Sequence, residues 1–169
     1  MASSLDYRSL KSAKMLDGLS DEQLRNFWDA GRLITIPTGD SIIKEGDVGD
    51  EMYILLEGVV EVSQTLLLKM GHTGIGEKEK TLIRLEGSLK PCFGEMSLME
   101  NAERSATVSS LTDSRVLVID RAHFNELLED DPSLGITILR NTLAIVSTRL
   151  RKANSDVLKL TTALSMALE

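Results

Sequence analysis

The sequence predicts a mainly β fold, an antiparallel barrel or jelly roll with helices at both ends. Two observations lead there. Between residues 33 and 119, short apolar runs of strand length recur at regular intervals, and glycine, proline and aspartate turns separate them. On either side of that stretch the apolar period becomes that of a helix. The division that follows is a helical segment over 1–30, a β barrel over 31–120 and C-terminal helices over 121–169, one of them long and starting at about residue 132.

The first helix is expected over 21–30. Leu16, Leu19, Leu24, Phe27 and Trp28 stand near helical spacing, and Ser20 supplies an N-cap with Gln23 three residues on. A second helix is expected over 4–14, and Trp28 is expected to anchor the first to the barrel. Strands are expected at Leu33–Ile36, Ser41–Ile43, Met52–Leu56, Val59–Val62, Thr81–Leu85, Ser105–Val108 and Val116–Ile119. Turn residues between them include Pro37-Thr38-Gly39-Asp40, Glu45-Gly46-Asp47, Gly49-Asp50 and Glu57-Gly58. Residues 66–80 read as a long hairpin whose tip carries three glycines, Gly71, Gly74 and Gly76, and the mixed charge run Glu77-Lys78-Glu79-Lys80. A solvated tip is one account of it. A phosphate cradle is the other, and it lacks the strand-to-helix switch and the Gly-Lys-Ser/Thr ending such loops carry.

After Asp120, Phe124, Leu127 and Leu128 predict a short helix, and Asp130-Asp131-Pro132 opens the next with proline near its first turn. Leu139, Leu143, Val146, Leu150, Ala153, Val157, Leu160, Leu164 and Ala167 then alternate four and three apart, the seam of a coiled coil. Leu134 and Ile138 fit the alternative, a helix lying on its own barrel, for the first two turns. A helix of roughly 55 Å exceeds the diameter of so small a domain, which favours self-association.

Composition narrows the function. The 169 residues hold 12 Gly and 3 Pro with no repeated tract and no apolar run near the length of a membrane span, so fibrous, disordered and transmembrane classes fall away. The start, Met1 to Asp6, carries neither a basic segment nor an apolar core, so a cytoplasmic protein without membrane association is expected. Cys92 is the only cysteine and the histidines are His72 and His123, too few and too far apart for a protein-built metal site. With neither histidine near it in sequence, Cys92 reads as packing or, alternatively, as a nucleophile, and with no Ser-His-Asp order, paired catalytic carboxylates or nucleotide-triphosphate loop an enzyme is not expected. A net charge of −7 is the wrong sign for a phosphate backbone.

The most informative segment is Phe93-Gly94-Glu95-Met96-Ser97-Leu98-Met99, followed by Glu103-Arg104-Ser105-Ala106-Thr107-Val108. Gly94 permits close backbone approach, Met96, Leu98 and Met99 suit one helical turn packed on the barrel, and Arg104 opens the next strand. The segment resembles the phosphate-binding cassette of the cyclic-nucleotide-binding domain family, the sensor module of catabolite activator proteins and of cyclic-nucleotide-dependent kinase regulatory subunits. Glu45-Gly46-Asp47-Val48-Gly49-Asp50-Glu51-Met52-Tyr53-Ile54 and Leu56-Glu57-Gly58-Val59-Val60 stand where that family has its turns.

The resemblance implies a cyclic-nucleotide-binding β-roll with N-terminal helices and a long C-terminal dimerisation helix. It implies a non-enzymatic sensor, a homodimer that binds cyclic AMP, with cyclic GMP the other candidate, and signals to an unknown effector protein. Arg104 would hold the phosphate with its guanidinium fork and Glu95 would accept from the ribose hydroxyl. Gly94, Met96 and Ser97 would offer amides to the phosphate, Ser105 would reach the phosphate or the base with its hydroxyl, and Ala106 would be a further ligand-binding residue. Asn154, beside Ala153 on the long helix, would face the base, where it can donate and accept. Other accounts stand beside these: Glu95 and Arg104 paired with each other across an empty barrel, Ser105 as an ordinary strand serine, Asn154 as a register-setting seam neighbour. The whole fold could also serve as a ligand-free dimerisation and interaction module. Five residues separate Gly87 from Phe93 where the family has two, so that loop is remodelled. Glu103 stands where many members have proline, and strand alternation would turn it away from the site. Transcription factors of the family continue into a helix-turn-helix, whereas this sequence ends at Glu169, so no DNA binding is expected.

Overall fold

The protein is described here by a computed structural model over residues 5–70, 74–100 and 102–168, with the backbone alone for 67–70 and 74–78. Its elements run α1 (Asp21–Ala30), β1 (Arg32–Ile36), β2 (Ser41–Ile43), β3 (Glu51–Glu57), β4 (Val59–Met70), β5 (Gly74–Glu86), β6 (Cys92–Phe93), α2 (Met96–Met99), β7 (Thr107–Ser110), β8 (Ser114–Asp120), α3 (Arg121–Asp130) and α4 (Pro132–Ala167). Two antiparallel four-stranded sheets form, in the orders β1-β8-β3-β6 and β2-β7-β4-β5. The mainly β fold with flanking helices is therefore as predicted.

β3 explains how the two layers and the helices are held together. Side chains alternate across a strand, so Tyr53 and Leu55 enter the core between the sheets with Val60, Val108, Val116 and Val118. Met52, Ile54 and Leu56 face the other way, onto Leu24, Phe27, Phe124, Leu134 and Ile138 of the helices. The unbroken apolar run from Met52 to Leu56 is the signature of a strand buried on both faces. α1 starts with a complete capping box between Ser20 and Gln23. Trp28 packs partly buried against the core that the helices share with β3 and β8.

Several local expectations are corrected. The described residues of the span 4–14 do not form an α-helix: Tyr7–Ser12 and Lys14–Leu16 are 3₁₀ turns separated by extended Ala13. Leu10, Ala13 and Leu16, spaced by three, are all buried, which fits the three-residue period of a 3₁₀ helix and not the α period. Arg104 does not open a strand, because β7 starts at Thr107. The backbone around Arg104 bonds instead to a loop, Arg104 N to Asp47 O at 2.8 Å and Gly46 N to Arg104 O at 2.9 Å. Glu103 makes only an isolated bridge to Val48, so strand alternation does not govern its side chain. The hairpin over 66–80 exists as β4 paired with β5 from Val59↔Glu86 to Met70↔Gly74. Gly71, His72 and Thr73 at its tip lie outside the described residues.

α4 is 36 residues long, capped by Asp131 with Pro132 in its first turn. Leu134, Ile138 and Thr142 are buried against the molecule's own body. Asn141 ties the helix to the turn before α1, donating to Asp17 O at 2.8 Å and Met15 O at 3.1 Å. From Thr148 to Leu168 every residue is exposed, Leu150, Val157, Leu160 and Leu164 among them.

Candidate functional site

A cavity of about 420 Å³ opens between the β2-β7-β4-β5 sheet, the turn carrying α2, and α4. Gly94, Glu95, Met96, Ser97, Arg104, Ser105 and Ala106 all line it. Topology brings them together: β6 ends at Phe93 and delivers the turn to the barrel mouth, and residues 102–106 return across it before β7. Gly94 makes this possible with a φ of +75°, the left-handed region, and a Cβ there would stand 2.8 Å from Arg104 Nη1.

Arg104 is 8% exposed, and among the described residues no carboxylate pairs with it. Neutral acceptors hold it instead. Nη1 donates to Ser97 Oγ at 2.8 Å and Gly94 O at 3.3 Å, and Nη2 donates to Glu51 O at 2.8 Å. The Tyr53 ring lies 5.9 Å from the guanidinium carbon and stacks on Phe93 at 5.3 Å. Burial and a hydrogen bond to Glu51 push the Tyr53 hydroxyl up to about 12, so it stays a neutral donor. A buried cation without a counter-charge is costly, and among the described residues the Arg104 Nε–H has no hydrogen-bond partner.

Glu95 is 3% exposed and does not pair with Arg104. Its partner is Arg149 of α4, which forms an ion pair with Glu95 Oε1 and donates from Nη2 to Cys92 O at 2.8 Å. The turn after Glu95 packs through Ser97 and Leu98, while Met96 and Met99 are each 50% exposed, contrary to the expected packing. Arg121, the first residue of α3, caps this turn, Nε donating to Ser97 O at 3.1 Å and Nη2 to Glu100 O at 3.1 Å. The Ser97 amide is already taken by Gly94 O at 3.2 Å, so it is not free for a ligand as the sequence suggested.

Arg104 and Glu95 are thus both buried at the edge of one cavity, each held by other partners. Residues 33–131, more than half of the chain, match the model of the cyclic nucleotide-binding domain. The chain belongs to that family. It is 29% identical over 149 residues to the cyclic AMP receptor protein of Thermus thermophilus, covering 88% of this chain and 62% of that protein. With a cAMP-dependent protein kinase regulatory subunit of Aspergillus fumigatus it shares 38% identity over 116 residues, 66% of this chain and 27% of that one. The crystal structure of the Thermus thermophilus catabolite activator protein superimposes with a TM-score of 0.74 at 28% identity, over 88% of this chain and 63% of that one. The chain thus spans less than two-thirds of the length of these relatives.

Asn154, on α4 beyond the residues that match the cyclic nucleotide-binding domain, is exposed and does not line the cavity. The helix turns Lys152, Ala153 and Asp156 toward it instead. Residue 154 lies about 100° around the helix axis from residue 153. Arg149, Lys152 and Asp156 were missed in the sequence reading, although a signal existed. Ile138, Thr142, Ile145, Arg149, Lys152 and Asp156 form a second stripe at helical spacing beside the apolar seam. Glu103 lines the cavity too, against expectation. The remodelled loop before Phe93 forms a 3₁₀ turn at Gly87–Leu89 with Lys90 left-handed, and contributes no described residue to the cavity wall. Cys92 is buried, and burial with the nearby Glu95 charge pushes its thiol up to about 11, the profile of a packing residue and not of a nucleophile. Among the described residues no group of three His, Cys, Asp or Glu side chains comes together to hold a metal. No described helix is long and apolar enough to cross a membrane.

Proposed function

We propose that this domain is a sensor for a cyclic purine nucleotide, with cyclic AMP as the preferred ligand, and that its role is binding and not catalysis. The observation that carries the reading is Arg104, a buried cation that neutral acceptors orient into a cavity and no described carboxylate neutralises. A cyclic phosphodiester has one permanent charge and paired oxygens to meet such a group. The cavity volume falls within the range of small-ligand sites. The names of the relatives, a cyclic AMP receptor protein and cAMP-dependent kinase regulatory subunits, support cyclic AMP.

Signalling follows from where Glu95 is anchored. Its carboxylate joins the turn before α2 to α4 through Arg149. A ribose hydroxyl that donates to Glu95 competes for the oxygens Arg149 now uses, so occupancy and the position of α4 are thermodynamically linked. Arg121 extends the same linkage from α2 to α3. The exposed seam of α4 supports a homodimer, because Leu143, Leu150, Val157, Leu160 and Leu164 are each more than half exposed in a single chain. Through that dimer the helices would report occupancy to an effector protein. Titration calorimetry of refolded, ligand-free protein with cyclic AMP and cyclic GMP tests the reading. Saturable binding of one ligand per chain with cyclic AMP tighter supports it, and no heat with either refutes it.

A further inference from the structure

The wall of the cavity built by β4 and β5 consists, among the described residues, of Val62, Gln64, Leu82, Ile83 and Leu85. Gln64 is the one side chain there that can form hydrogen bonds. Its Nε2 donates to the main-chain oxygen of Ser105 at 2.6 Å. A carbonyl only accepts, so the amide nitrogen must face it and the carboxamide cannot be turned over. That orientation leaves Oε1 as an acceptor with no partner among the described residues, on a side chain that lines the cavity. The neighbouring Ser105 is exposed and its hydroxyl is likewise unpartnered.

Resting on the reading of the cavity as a cyclic-nucleotide site, we propose that Gln64 is a base-reading residue whose Oε1 accepts from an exocyclic amino group of the purine. The apolar residues around it give the flat ring its contact area, and they cannot distinguish one purine from another. An acceptor fixed by the Ser105 carbonyl can, because it rewards a donor at one ring position and leaves a ligand without that donor no compensating bond. Both adenine and guanine carry such a group, at different ring positions, and hypoxanthine carries none.

The test is a calorimetric titration of the wild type and of Gln64→Leu with cyclic AMP, cyclic GMP and cyclic IMP. The wild type should bind one of the amino-bearing nucleotides about two- to tenfold more tightly than cyclic IMP, the range for one neutral hydrogen bond. Which of the two shows the gap identifies the ring position that Gln64 reads. Gln64→Leu should close that gap and leave cyclic IMP affinity unchanged. A gap that persists in Gln64→Leu overturns the proposal. So does an equal loss for all three ligands, which would make Gln64 only a brace for the Ser105 segment. Wild type that binds none of the three overturns the cyclic-nucleotide reading itself, and this inference with it.

Discussion

Replacing Arg104 with leucine should abolish most ligand affinity and leave the fold standing. The side chain makes bonds to Ser97 Oγ, Gly94 O and Glu51 O, and the substitution removes them. It also removes a buried cation that no described carboxylate neutralises. These effects oppose one another, so the change in unfolding free energy should stay within about 1 to 2 kcal/mol. Binding has no such compensation. A phosphate diester stripped of water and left without its cation forfeits about 2 to 5 kcal/mol, or roughly thirty- to several-thousandfold in affinity. Glu95→Gln should cost less, about 1.5 to 3 kcal/mol, the range for a hydrogen bond to a charged group. Arg149, the partner it releases, is about half exposed and rehydrates, so the lost ion pair adds little to that figure. The assay is the ligand-induced thermal shift of the three proteins at equal cyclic AMP. At a hundred times its dissociation constant the ligand stabilises the wild type by about 2.7 kcal/mol, on the order of 5 to 10 °C for a chain of this size. A folded Arg104→Leu variant that keeps the full shift would refute the assignment of the anion site.

A Val157→Glu, Leu160→Glu double variant should be monomeric by light scattering where the wild type is dimeric; a monomeric wild type or a dimeric variant removes the role given to the α4 seam. The His123 Nδ1–H donates to the Asp120 carboxylate, which raises the pKa of His123. Its stabilising contribution is therefore full below about pH 6.5, its ordinary value, and is lost as pH rises through the folded value. Asp120→Asn should return the His123 NMR titration to the ordinary midpoint, and an unchanged midpoint contradicts the pairing. The acidic chain should show no sequence-dependent retention of DNA in gel shifts at low salt, and tight, specific retention would overturn that expectation.

Much of the architecture was legible because burial leaves a periodic trace. β3 and β8 are covered on both faces, so their apolar runs are continuous and unmistakable. The Ser20 cap and Pro132 mark helix starts by chemistry that acts within one turn. The residues of the α2 turn and Arg104, which line the cavity, could be singled out in the sequence because they lie within a dozen positions of one another. What escaped notice depends on partners distant in sequence. β6 is two residues long and exists only by pairing with Tyr53 and Ile54 of β3. Residues 102–106 stay out of β7 because the loop at 46–48 claims their backbone groups. Glu95 finds Arg149, 54 residues away, because α4 folds back across the barrel mouth. The apolar seam on α4 drew the eye from the polar stripe beside it, and the same rotation about the helix axis excluded Asn154.

The central claim is that a ligand phosphate completes the coordination of the Arg104 guanidinium, and the Arg104 Nε–H resonance reads it directly. In ¹⁵N-labelled, ligand-free protein that resonance should move saturably on titration with cyclic AMP, and should stay in place with adenosine, which has the base and ribose but no phosphate. Cyclic AMP that binds by calorimetry and leaves the Arg104 resonance unmoved would place the ligand elsewhere and contradict the account.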